Sequence, residues 1–113
     1  MNLLALPYRV VHICTADIGW TDSRQYDIET WMPGQNKYRE THSASNTTDF
    51  QARGVNAKYH SRGGKTDFVH MLNATAFAIG RTLIAIIENY QTKDGKIKIP
   101  KILQEYVGKE IIG

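Results

Sequence analysis

Cysteine is almost missing from the sequence: Cys14 is the only one in 113 residues. That excludes a disulfide framework and any zinc site built from several cysteines, and it fits a reducing compartment. No run of five like charges occurs, so there is no polybasic arm. The apolar stretch 77–87 carries Arg81 and falls short of the roughly 20 apolar residues a membrane span needs. Residues 1–6 lack a basic start and Pro7 cuts their apolar run short, so no export signal is expected. Without one, the sequons at Asn46 and Asn73 are read as chance matches.

What is present is ordinary for a globular chain. Hydrophobic residues make up 42%, and with 9 glycines about half the chain is apolar. Aromatics at 10% argue against disorder, and the length suits one small domain. The net charge of +3 is unevenly spread. Residues 1–57 hold five Lys/Arg against six Asp/Glu, whereas residues 58–113 hold nine against five. That basic second half permits polyanion contact, although a solvated face is the commoner meaning of such an excess.

Residues 3–6 are apolar, uncapped and closed by Pro7, reading either as the last turn of a helix or as a frayed terminus. Residues 8–15 and 27–32 carry strand signals, and residues 33–36 have turn chemistry. A further strand over 38–45 is polar on both faces. Residues 46–48 offer caps for a short helix through 49–53. Strands over 56–61 and 66–73 flank the loop 62–65. The spacing of Ile79, Leu83, Ile86, Ile87 and Tyr90 predicts a helix over 76–90 that buries that face. Asp94-Gly95 is a turn, residues 96–99 alternate as an edge strand, and Pro100 opens a closing helix. The class is α+β, an antiparallel sheet flanked by helices.

Several motifs fail. Gly64-Lys65-Thr66 would need glycine at position 59 for a phosphate loop, and Tyr59 stands there. His12, His42, His60 and His70 have no metal-ligand spacing. Cys14 reads as a small hydrophobe in an apolar strand. Residues 38–46 are different, concentrating a carboxylate, hydroxyls and amides. Alternation sets Glu40 and His42 on one face and Thr41 and Ser43 on the other. A carboxylate with hydroxyls is a hard-oxygen set suited to Mg²⁺ on a nucleotide phosphate; a solvated edge strand would show the same composition.

Three stretches together resemble the C-terminal part of the seryl-tRNA synthetase catalytic domain, a class II fold. The first is Leu6-Pro7-Tyr8-Arg9-Val10-Val11. The second runs from Tyr26-Asp27-Ile28-Glu29-Thr30-Trp31-Met32-Pro33 through Tyr38-Arg39-Glu40 to Asp49-Phe50-Gln51-Ala52-Arg53. The third is Val69-His70-Met71-Leu72-Asn73, then Gly80-Arg81-Thr82-Leu83 and Glu88-Asn89-Tyr90-Gln91. The resemblance implies a cytoplasmic, homodimeric serine–tRNA ligase that activates L-serine with ATP and Mg²⁺ and transfers it to tRNA(Ser), with neither DNA nor membrane as partner. In that pattern Glu40, Thr41, His42 and Ser43 bind ATP, with Glu40 and Ser43 holding the metal; because alternation separates those two, that role calls for a bulge or bend. Arg81 matches the motif 3 arginine on adenine, and Thr75 with Asn73 beside it falls at the serine substrate. No further catalytic residue is assigned.

The resemblance also implies that residues 1–113 are one portion of the catalytic domain. The tRNA-binding arm, motif 1, the motif 2 arginine and the serine loop are expected ahead of Met1. Departures from the family pattern are Ala74 and Ala76 for glycine, Thr75 and His42 for serine, and Gly54 for a second arginine. Two other functions fit the residues: a non-catalytic RNA- or protein-binding module derived from a synthetase, and a serine-activating ligase serving a carrier protein.

Overall fold

A computed structural model describes residues 1–113. The strands are β1 (Tyr8–His12), β2 (Arg24–Met32), β3 (Lys37–Thr48), β4 (Lys58–His60), β5 (Thr66–Phe68), β6 (Met71–Thr75), β7 (Ile97–Lys98) and β8 (Ile111–Ile112). The helices are α1 (Phe50–Val55), α2 (Ile79–Tyr90) and α3 (Lys101–Val107). Four strands form one sheet in the order β1-β2-β3-β6, while β4-β5 and β7-β8 are separate antiparallel pairs. The class is α+β with an antiparallel sheet, as expected. No helix is long and apolar enough to cross a membrane.

Two compact units divide the chain: residues 1–10, 28–41 and 77–113 in the first, residues 11–27 and 42–76 in the second. The first holds the hydrophobic core, in which Leu4, Leu6, Met32, Ala85 and Ile86 are buried against Met1, Tyr90 and Leu103. Polar ties pin α2 to this core along one edge. The Tyr90 hydroxyl donates to the Leu4 carbonyl at 2.6 Å, and Asn89 Nδ2 donates to the Trp31 carbonyl at 2.9 Å. The Gly34 N–H donates to Glu88 Oε2 at 2.8 Å. A Cβ at position 34 would stand 3.0 Å from Glu88 Oε1, so a side chain there would push the Glu88 carboxylate aside.

In the second unit β3 pairs with β6, opposing Ser43 to Thr75 and Ser45 to Asn73, with an irregularity between Asn46 and Thr48. Thr47 is buried with its hydroxyl on the Met71 carbonyl at 3.0 Å. The β4–β5 hairpin closes through Gly64, whose φ of +79° suits glycine.

Several expected boundaries move. The strand expected over 8–15 ends at His12, so Cys14 is exposed, its Sγ 3.6 Å from Asp17 Oδ2, rather than a core hydrophobe. The strand expected from residue 27 already starts at Arg24. Residues 46–48 are not helix caps: β3 continues through Thr48, and the Asn46 side chain accepts the Thr48 N–H, making a local turn. The strand expected over 66–73 divides into β5 and β6. Residues 3–6 form a 3-10 turn at Asn2–Leu4, with Ala5 left-handed.

Helix α2 starts at Ile79, three residues late, and only part of the expected face is covered: Ile86 is buried and Tyr90 packs on the core. Thr82, Ala85 and Ile86 are buried, whereas Ile79 is 73% exposed, Leu83 53% and Ile87 44%. Periodicity had located an apolar face; it could not say that this chain covers it.

Thr30 and Thr41 are both fully buried, and their hydroxyls meet at 2.8 Å. The Thr41 hydroxyl also lies 3.2 Å from the Ile28 carbonyl. Thr41→Val strands the Thr30 hydroxyl and should cost about 1–3 kcal/mol in urea unfolding. Replacing both threonines by valine should cost clearly less than the two single changes summed, because no hydroxyl is then left without its partner. Strict additivity would contradict the pairing.

Candidate nucleotide and amino-acid site

The site residues expected from sequence fall into two groups. In the first unit, Arg81 lies at the start of α2 and Glu40 lies on β3. The Arg81 guanidinium Nη1 donates to the Glu40 carbonyl at 2.8 Å and stands 3.1 Å from Glu40 Oε2. Both side chains are nearly half exposed, so the ion pair by itself adds little stability, and both heads remain open to a ligand. The contact is set from behind by Thr41. Its hydroxyl fixes β3 on β2, and its carbonyl accepts the Ala78 N–H at 3.0 Å, immediately before α2. One buried residue therefore sets where both Glu40 and Arg81 stand.

In the second unit, Ser43 faces Thr75 across the β3–β6 ladder, and Asn73 is opposite Ser45. Asn73 and Thr75 are exposed, with side chains available to a small polar ligand. A shallow pocket of about 320 Å³ is lined by Arg24, Tyr26, Ser45, Leu72 and Asn73 among others. Sequence reading did not find two polar contacts of this unit: Asp22 accepts from the Ser45 hydroxyl at 2.6 Å, and Gln25 donates to the buried Asp27 at 2.9 Å. Asp22 and Ser45 lie 23 positions apart and match no motif, so only the folded chain makes them neighbours.

Burial does not follow the alternation expected in 40–43: Ser43, expected to share the face of Thr41, is partly exposed like Glu40 and His42. Thr41 is buried, while Glu40 and His42 are partly exposed. The register irregularity lies beyond Ser43, between Asn46 and Thr48. No group of three or more His, Cys, Asp or Glu could enclose a metal. No bulge within 40–43 brings Glu40 and Ser43 together; a single carboxylate such as Glu40 fits Mg²⁺, which keeps its waters and is held chiefly by substrate phosphates.

Comparison with known proteins decides the family. The family model described as tRNA synthetase class II core domain (G, H, P, S and T) matches residues 1–90. The chain belongs to the class II tRNA synthetase core family. Within that family, its relatives include the serine–tRNA ligases of Hydrogenobaculum sp., 57% identical over 112 residues, and Thermosipho melanesiensis, 56% identical over 112 residues. Each alignment covers 99% of this chain, and the chain spans about a quarter of those relatives' length, 27% and 26%. Seryl-tRNA synthetase from Pyrococcus horikoshii, solved in complex with ATP, superposes with a TM-score of 0.94 at 51% identity. That match covers 98% of this chain and 25% of the other. The cytoplasmic enzyme of Naegleria fowleri, solved with AMP, gives 0.88 at 43% identity over 98% of this chain and 26% of that one.

Partial burial of His42 disfavours its imidazolium and lowers its pKa from 6.5. The unfolded chain therefore binds the proton more readily, so this contribution to stability is present above pH 6.5 and is lost as pH falls through the folded value. The wild-type melting temperature should drop between pH 7 and pH 5 by more than that of His42→Gln. Parallel curves would contradict the assignment.

Proposed function

We propose that residues 1–113 supply part of the ATP- and serine-contacting half of a serine–tRNA ligase. The observation that carries this reading is the identity of more than half the residues with serine–tRNA ligases along the whole chain. The convergence of Glu40 and Arg81, 41 positions apart in sequence, supports it.

In this reading Glu40 would hold Mg²⁺, which supplies charge neutralisation at the ATP phosphates when bound, and Ser43 belongs to the ATP-binding segment. Thr41 and His42 complete the ATP-binding segment. Arg81 lays its planar guanidinium on adenine, a contact lysine cannot reproduce. Asn73 and Thr75 hold L-serine so that its carboxylate meets the α-phosphate in line. Such a reaction gains chiefly from positioning and from fixed charge around the phosphates. The longer protein would act as a homodimer in the cytoplasm, with tRNA(Ser) as acceptor and neither DNA nor membrane as partner.

The test replaces the matching segment of the Hydrogenobaculum ligase by this chain and follows serine-dependent ATP–pyrophosphate exchange. Glu40→Gln should lower turnover on the order of tenfold to a thousandfold, the cost typical of removing one electrostatic partner. Arg81→Lys should weaken ATP use about threefold to thirtyfold, consistent with a cation–π contact, with the melting temperature unchanged. Exchange rates equal to the parent graft would return both residues to a solvated surface.

A further inference from the structure

A run of ring and cation contacts crosses the second unit. The Trp20 and Phe50 rings meet in a T, with centroids 4.9 Å apart. Phe50 opens α1, and Arg53, about one turn further along that helix, stands 5.1 Å over the Phe68 ring. Lys58 Nζ is 4.9 Å from the centroid of the same ring. Trp20 is 87% exposed and Phe50 42%, so the rings at this end lie open.

The loop that carries Trp20 is nevertheless tethered. The Asp22 N–H donates to the Gly19 carbonyl at 2.9 Å, and the Ser23 N–H donates to the Asn46 carbonyl at 2.8 Å. The Ser45 hydroxyl donates to Asp22 Oδ2 at 2.6 Å. An exposed indole on a held loop has little freedom to lose when a ring stacks on it. The tethers also set its place. Ser45 lines the pocket of about 320 Å³ together with Asn73, and Trp20 is two residues from the Asp22 that bonds Ser45.

Charge decides which partner fits. Residues 53–65 hold Arg53, Lys58, Arg62 and Lys65 and no Asp or Glu. Asp49 pairs with Arg53 at 2.6 Å and Asp67 with Lys65 at 3.4 Å, while Lys58 and Arg62 enter no ion pair. Lysine is depleted from protein–protein interfaces. Rings for stacking, beside cations that follow a backbone, suit a single nucleic-acid strand. A duplex hides the faces of its bases, so the open Trp20 ring favours an unpaired segment.

We propose that Trp20, Phe50, Arg53, Phe68 and Lys58, with Arg62 in the hairpin loop, form a track for an unpaired RNA segment. A base stacks on Trp20, and phosphates follow the cations. The inference rests on the proposed function for the identity of that RNA, the unpaired 3′ end of the acceptor tRNA, which has to reach the pocket holding Asn73.

The experiment uses the Hydrogenobaculum ligase carrying this chain in place of its own matching segment, and follows the binding of fluorescently labelled tRNA(Ser) by anisotropy. Trp20→Ala should weaken binding about fivefold to a hundredfold, the worth of one stacked base, and Trp20→Phe should restore most of it. A tRNA(Ser) trimmed of its unpaired 3′ end should bind equally to the graft with and without Trp20→Ala. Arg62→Gln should make the fall of log affinity with log salt shallower by about 0.7, the value for one phosphate contact on a single strand. Full-length tRNA bound equally by the graft and by Trp20→Ala, or an equal loss with trimmed tRNA, would overturn the stacking. A salt slope unmoved by Arg62→Gln would overturn the cation track. A Trp20→Ala graft that melts earlier yet binds tRNA unchanged would assign the ring to the ligase's own packing and overturn the inference. ATP–pyrophosphate exchange consumes no RNA and reads the proposed function separately. A graft without exchange that still shows these binding differences would count against that function and leave the track standing.

Discussion

Thr41 has no exposed surface, and three groups converge on it: the Thr30 hydroxyl, the Ile28 carbonyl and the Ala78 N–H. A threonine there in place of a hydrophobe makes the sheet specific about register, because a hydroxyl in a dry interior must find its partner or lose free energy. A slip of one residue would turn Thr41 out and Glu40 in. With Thr41 fixed, Glu40 projects outward on one side and the peptide before α2 is held on the other. Arg81 then reaches the Glu40 carbonyl and carboxylate from the first turn of α2. The chemistry-bearing groups of the first unit thus depend on a pair of buried hydroxyls.

The same logic explains why so few apolar residues suffice here. Seven hydrophobic residues are buried, beside five polar ones. Tyr90, Asn89 and Glu88, three consecutive residues at the end of α2, each bond to a different part of the chain: Leu4, Trp31 and Gly34. Directional bonds of this kind place the helix end, and place Arg81 at the other end with it. Apolar burial is meanwhile deferred, since the Ile79–Leu83 side of α2 stays uncovered.

Sequence reading found the elements better than their surroundings. The β4–β5 hairpin, the turn after Met32 and the body of α2 were legible because glycine, proline and 3.6-residue periodicity act locally. How much of the α2 face is buried was not legible. A helical stripe reports which residues avoid water, and Ile79 and Leu83 do so only when something else covers them. The extension of β3 through Thr48 was missed because Asn46 satisfies the Thr48 N–H within the strand, a role its capping propensity does not distinguish. The Glu40–Arg81 pair could not come from pattern, because 41 residues separate the partners. Resemblance to a family singled out the two residues, and the hydrogen bonds then supplied a physical reason for their proximity.

The central claim is that this segment serves serine activation and not some other use of a class II core. The most direct measurement is the amino-acid dependence of ATP–pyrophosphate exchange by a ligase carrying these 113 residues in place of its own matching segment. The account predicts exchange with L-serine, and none above background with L-threonine or L-alanine, because Asn73 and Thr75 would contact a hydroxymethyl side chain of that size. Exchange that is equal for all three amino acids, or absent from a folded graft that still binds ATP, would contradict it.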